Sequence, residues 1–217
     1  MPSSSQSILP PITLAAFRAL AAKALRADPP ATPNGPSDYD LNPGLDSEFP
    51  RVDTPRPAAV LVPVVARDKL TMLLTQRTDA LPSHAGQIAF PGGKVERSDR
   101  DVIETAQREA EEEIGLARSF TEPLGFLDPY LTGTGFRIVP VVALVKPGFE
   151  LKLDPSEVAA AFEVPLDFLM NAENHRRHSR TFRGQERFYH AMPYEDRYIW
   201  GATAGILKNM HERFFPT

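Results

Sequence analysis

The chain has 217 residues, 42% of them hydrophobic, a formal net charge of −4 and no cysteine. Length and apolar content suit one domain with a substantial core. The negative balance argues against a nucleic-acid partner, and the missing cysteines exclude disulfides and thiolate metal sites.

No apolar run approaches the roughly 20 residues of a membrane-spanning helix, so no membrane partner is expected and the cytoplasm is the expected setting. Residues 1–28 hold no acid before Asp28, a faint likeness to a transit peptide. The better reading is a helix over 13–27: Leu14, Phe17, Ala21 and Leu25 recur at helical spacing behind Thr13 as N-cap. It would pack on the body of the protein or on a partner subunit. Residues 28–56 follow as an extended linker, because eight prolines fall between Pro29 and Pro57. Leu41, Leu45 and Phe49 are its apolar pegs. The expected division is therefore 1–56 as helix plus linker and 57–217 as the compact domain.

Within that domain, Ala58 to Ala66 and Leu70 to Gln76 are apolar runs around Arg67-Asp68-Lys69, the pattern of a hairpin. Gln87 to Phe90 predicts a short strand, Asp101 to Ile114 a helix, Leu124 to Leu127 a strand and Phe136 to Val145 a long buried strand. Glu150 to Asp154 reads as part of a hairpin. Ser156 to Phe162 and Leu166 to Met170 read as short helices, the first with Pro155 near its start. Thr181 to Arg183 and Phe188 to Ala191 suggest a polar hairpin, Tyr198 to Trp200 a strand and Ala202 to Phe214 a closing helix. Strands outnumber helices, so an α/β fold is expected, a three-layer α/β/α sandwich around a mixed sheet.

The chemistry concentrates between Gly86 and Leu116. Gly92 and Gly93 allow close backbone approach to a ligand. On the helix that follows, Glu109, Glu112 and Glu113 stand at i, i+3 and i+4 and share one side. Ile103, Ala106, Ala110 and Ile114 form the neighbouring apolar stripe, and Gly115 is placed to end the helix. Taken alone, three crowded carboxylates are a solvated acidic face. Beside the glycine pair they make a candidate site for hard divalent cations.

The run Arg108-Glu109-Ala110-Glu111-Glu112-Glu113-Ile114-Gly115-Leu116 resembles the Nudix box, with every position of that part filled. From Gly93 to Arg108 the spacing is one residue longer than in the common box, leaving Asp99 and Asp101 as alternatives for the acidic position between them. The longer spacing, and Leu73 to Gly93 ahead of it, are similar to the coenzyme A pyrophosphatase branch; Pro82 stands where that branch has a basic residue. The resemblance covers about Pro57 to Phe214 and implies the Nudix fold. It also implies hydrolysis of a diphosphate linkage in coenzyme A or its thioesters, with Mg²⁺ or Mn²⁺ on Glu109, Glu112 and Glu113 and a backbone carbonyl near Gly92 or Gly93. A homodimer is a family-level expectation. Arg108 would hold the glutamates in place. The general base stays open: Glu109 is one choice, and Glu157 is another, as base or extra metal ligand, its plainer role being in the first turn of a helix.

Arg77 could meet a phosphate, while His84 and Gln87 could bind substrate or simply order their loop. Trp200, the one tryptophan, reads as core or dimer packing rather than a stacking platform. His175, Arg176, Arg177, His178 and Arg180 read as a solvated basic loop, or as a patch for the 3′-phosphate of coenzyme A. Two rivals remain: a Nudix enzyme for ADP-ribose or a dinucleotide, and a non-catalytic Nudix sensor, which would be expected to lack box glutamates.

Overall fold

The computed structural model describes residues 11–31, 34–42, 44, 51–81, 84–182 and 184–216. Its helices are α1 (Leu14–Ala24), α2 (Val102–Ile114), α3 (Leu166–Leu169) and α4 (Ala202–Phe214). Its strands are β1 (Arg56–Val65), β2 (Thr71–Arg77), β3 (Ile88–Ala89), β4 (Gly92–Lys94), β5 (Thr121–Phe126), β6 (Tyr130–Leu131), β7 (Phe136–Val145), β8 (Val158–Pro165), β9 (Arg176–Phe182), β10 (Gln185–Tyr194) and β11 (Arg197–Trp200).

An eight-stranded mixed sheet holds β1 to β8, and a three-stranded antiparallel sheet holds β9 to β11. β1 and β7 run parallel over their whole length, from Arg56 opposite Phe136 to Val65 opposite Val145. β1 also pairs antiparallel with two partners, β2 through Val64–Val65 and β4 through Ala58–Val60.

β1 and β7 are apolar almost throughout because both of their faces are covered. Ala59, Leu61, Val139, Val141 and Ala143 pack with Ala106, Ala110 and Ile114 of α2. Val62, Val64, Val142 and Leu144 pack with Phe17 of α1 and with Leu207, Met210 and Phe214 of α4. The alternation of the two sets is the period-2 geometry of a strand. Helices on both sides of a mixed sheet make the expected α/β/α sandwich.

Thr13 caps α1 by accepting the Ala16 N–H at 3.2 Å, and Phe17 and Ala21 are its buried residues. The helix leans on α4, with the Phe17 and Phe214 rings 5.8 Å apart. Asp128 ties this side together. Its carboxylate receives Arg26 at 2.9 Å, Asn209 at 3.1 Å and Arg213 at 3.1 Å. Burial pushes its pKa up, but these donors outweigh burial and leave it below the usual value.

Several expected elements differ. Residues 156–162 are not a helix; most of them enter β8, which pairs with β2 along Thr71–Arg77. Alanine favours a helix, but an open strand edge and apolar neighbours on both faces override that weak preference. Glu150 to Asp154 carry no strand, and Asp128 to Gly135 include the short β6. The polar hairpin is longer than expected, so Arg176, Arg177, His178 and Arg180 lie in strand β9 rather than in a loop. Of the three linker pegs, Leu41 is half-buried; Leu45 and Phe49 lie outside the described residues, as does Pro82.

Candidate functional site

The acidic helix α2 begins with Asp101, whose carboxylate accepts the Glu104 N–H at 2.8 Å. It ends at Gly115 in the left-handed conformation, φ 69°. No Cβ could sit there without coming within 2.9 Å of the Lys152 nitrogen. The last turn is instead used by the following chain: Lys152 N–H donates to the Ile114 carbonyl and Asp154 N–H to the Glu113 carbonyl, both at 2.9 Å. Asp154 then accepts from the Glu157 N–H at 3.1 Å, while the Glu157 carbonyl accepts from the Thr78 N–H. Glu157 thus sits in a loop suspended from the end of α2, not in the first turn of a helix.

The glycine strand β4 closes over the acidic side of α2. A Cβ on Gly92 would come within 2.5 Å of the Ala59 carbonyl, and one on Gly93 within 2.5 Å of the Glu109 carboxyl group. At Gly92, where the near atoms are main chain, only glycine allows this approach. Gly92 donates its N–H to Glu113 at 3.3 Å.

Glu113 is 5% exposed. Burial pushes its pKa up to about 8, and Glu109 and Glu157 push the same way, against the Gly92 N–H and the charge of Arg77. Glu109 is also raised, chiefly by burial, with Glu112 and Glu157 adding to it and Arg108 opposing. Glu109, Glu113 and Glu157 therefore share one field, with Arg77 beside Glu113. Glu112 stands apart: its side chain is 60% exposed and accepts from Arg108 at 3.0 Å.

Arg108 is the organiser of this face. It donates to both oxygens of Asp99, at 2.9 and 3.1 Å, to Glu109 and Glu112, each at 3.0 Å, and to the Lys94 carbonyl. The Asp99 side chain is 2% exposed and also receives the Thr105 hydroxyl and the Glu96 N–H. The Arg108 guanidinium, helped by those two donors, holds its carboxyl well below the usual range. The two acidic alternatives thus divide the work, Asp99 anchoring Arg108 and Asp101 capping the helix. Among the described residues, no three acidic or histidine side chains already form a cage for a metal ion.

His84 and Gln87 lie in the β2–β3 connection and bind each other, Nδ1 to Oε1 at 2.7 Å. His84 is exposed with φ 58°, so its visible role is to shape that loop. Of the basic cluster, His175 is not solvated: its Nε2 meets the Leu169 carbonyl at 2.7 Å and its ring packs on His211. Trp200 lies outside both core clusters. Spacing alone missed the Asp99–Arg108 pair and the link from α2 to the Glu157 loop; the acid nine residues before Arg108 was the available signal for the first.

No helix among the described residues is long and apolar enough to cross a membrane. The NUDIX domain family model matches residues 55–184. An uncharacterized Nudix hydrolase NudL of Photorhabdus laumondii is 40% identical over 161 residues, 74% of this chain and 86% of that protein. A NudL of Yersinia pestis is 38% identical over 160 residues, 74% of this chain and 80% of its own length. The MutT protein structure from Methanosarcina mazei overlays at a TM-score of 0.48 with 20% identity, over 75% of this chain and 95% of that one. With a box helix, glycine strand and sandwich already in place, the match over residues 55–184 and the two NudL relatives make the chain a member of the Nudix family, a hydrolase of diphosphate linkages.

Proposed function

We propose that this Nudix hydrolase cleaves the diphosphate of coenzyme A and its thioesters, releasing 3′,5′-ADP and 4′-phosphopantetheine or its acylated form, with Mg²⁺ or Mn²⁺. The observation that carries the metal requirement is the burial of Glu113 beside Glu109 and within the field of Glu157. Such carboxylates favour a hard cation, and Glu109, Glu112 and Glu113 would hold it, with a backbone carbonyl near Gly92 or Gly93. When bound, the metal supplies neutralisation of the diphosphate and a more acidic water.

The chain's own groups do the rest. Gly92 and Gly93 keep side chains away from the carboxylates. Arg108, fixed by Asp99, positions Glu109 and Glu112. Arg77 offers a cation to a phosphate near Glu113. Glu157, exposed on its loop, is the proposed acceptor of the water's proton. The coenzyme A assignment is supported by the box spacing and the Leu73 to Gly93 signature. Pro82, in place of a basic residue, favours ADP-ribose or another nucleoside diphosphate derivative as the second reading.

Hydrolysis of coenzyme A, dephospho-coenzyme A and ADP-ribose, each with Mg²⁺, Mn²⁺ or chelator, separates the two. Preference for coenzyme A over its dephospho form is the expected result; preference for ADP-ribose selects the second reading.

A further inference from the structure

The three-stranded sheet ends on an open edge. Its strand order is β11-β10-β9, and among the described residues no strand pairs with the outer side of β9. Asn42 reveals which main-chain groups point there. Its side chain accepts the Phe188 N–H at 2.8 Å and donates to the Phe188 carbonyl at 2.9 Å. Ser179 of β9 stands opposite Phe188, so Asn42 sits on the far side of β10, and both polar groups of Phe188 face away from β9. Opposed residues of an antiparallel pair either exchange both hydrogen bonds or exchange neither. Ser179 is of the second kind, with its N–H and C=O turned outwards. Alternation gives Arg177 and Thr181 the same orientation, and all three residues are exposed.

Edges are usually blunted by shortness, by a bulge or by proline. β9 has none of these. It runs for seven residues, about 23 Å, without proline, and its register holds from Arg176 opposite Ala191 to Phe182 opposite Gln185. What it has is charge of one sign. The strand reads Arg-Arg-His-Ser-Arg-Thr-Phe, with no acid of its own, in a chain of net charge −4. Arg177 lies over the Phe188 ring at 4.0 Å and Arg180 over the Trp200 ring at 4.7 Å, contacts that steady each guanidinium without neutralising it. The one carboxylate of β10, Glu186, is taken up by the Ser179 hydroxyl at 2.7 Å.

We propose that β9 is a docking edge for an extended acidic segment of a partner protein, which joins the sheet as a fourth strand. The outward N–H and C=O groups of Arg177, Ser179 and Thr181 supply the main-chain pairing, and Arg176, Arg177 and Arg180 select acidic side chains on the incoming strand. The same charge works against a second copy of this chain. Two β9 strands paired edge to edge would gather the arginines of both with no acid between them.

The test is fluorescence anisotropy of a labelled peptide of about eight residues, alternating glutamate and threonine, titrated with the full-length protein. Saturable binding is expected. The same peptide N-methylated at alternate residues keeps its charge but loses the donors of one edge, and should bind at least about tenfold more weakly to the unaltered protein. A lysine–threonine peptide should not bind. Thr181→Pro removes one outward N–H and no bond to β10, so it should weaken the glutamate peptide about tenfold while the unfolding temperature and diphosphate hydrolysis hold. Arg176→Glu, at an exposed position, should weaken it as well.

Three results would overturn the docking edge. Equal binding of the N-methylated peptide would reduce the effect to attraction between charges. Displacement of the peptide by an oligouridylate that Thr181→Pro binds as well as the parent would make the strand a nucleic-acid contact. A concentration-dependent dimer in sedimentation, dissolved by Thr181→Pro, would make a second copy the occupant. Should Thr181→Pro lower the unfolding temperature, the two glutamate peptides compared on the unaltered protein still decide, since neither measurement needs a variant.

Discussion

Asp128 and Glu113 are both carboxylates withdrawn from water, on opposite sides of the same sheet, and they meet opposite fates. Asp128 is surrounded by Arg26, Arg213 and Asn209, and its pKa falls. Glu113 has one backbone N–H at 3.3 Å and two acidic neighbours in its field, and its pKa rises to about 8. The first arrangement fastens α1 and α4 to the loop after β5. The second holds, on a rigid helix, a carboxyl group whose ionisation its surroundings disfavour. A carboxylate satisfied by the fold is architecture; a buried one left without such donors is a candidate for chemistry.

That contrast can be broken. On the proposed role of Glu113 as a metal ligand, Glu113→Gln should lower kcat/KM by about 100-fold or more, while thermal stability holds or rises. Full activity would place Glu113 with Asp128 as architecture. On the other face, Phe17→Ala should cost about 3–5 kcal/mol in denaturant unfolding, since a buried ring packed on Phe214 is removed. The folded fraction should keep its kcat.

Arg108→Lys tests whether the clamp matters. Lysine cannot span Asp99, Glu109, Glu112 and the Lys94 carbonyl at once, so activity should fall about 10–100-fold with little change in unfolding. Equal losses in both measurements would make Arg108 merely structural. Asp128→Asn should cost about 1–2 kcal/mol, discounted for partial exposure. Its pH signature has a definite sign. The folded pKa lies below the unfolded one, so the contribution is present above the ordinary carboxylate value and lost as pH falls through the folded value. Acid titration of stability should therefore show a limb that Asp128→Asn flattens.

Elements whose pattern is local were legible in the sequence. α2 carried its cap, its stripe and its terminal glycine within one stretch, and β1 and β7 were long apolar runs. β8 was not legible: Ala159, Ala160 and Ala161 read as helix until β2 presents an edge to pair with. The Arg108 clamp was half legible, because Asp99 and Asp101 differ only in what they touch. The Asp128 hub was out of reach, since Arg26 and Arg213 meet it only after α1 and α4 have docked. At the box, residue types and spacing named the carboxylates, but only the fold separates exposed Glu112 from buried Glu113 and brings Glu157 near.

The loop hung from the last turn of α2 has a further consequence. Its anchor is main chain to main chain, Asp154 on the Glu113 carbonyl, so the reach of Glu157 is measured in residues rather than in side-chain identity. The exposed Pro155 side chain takes no part in that anchor, whereas Ser156 adds a tie of its own, its hydroxyl donating to the Asp154 carboxylate at 2.7 Å. One residue inserted between Asp154 and Glu157 lengthens it by about 3.5 Å and carries the carboxylate away from its place beside Glu109 and Glu113. Loop length, more than loop chemistry, sets where the exposed Glu157 carboxylate stands relative to α2.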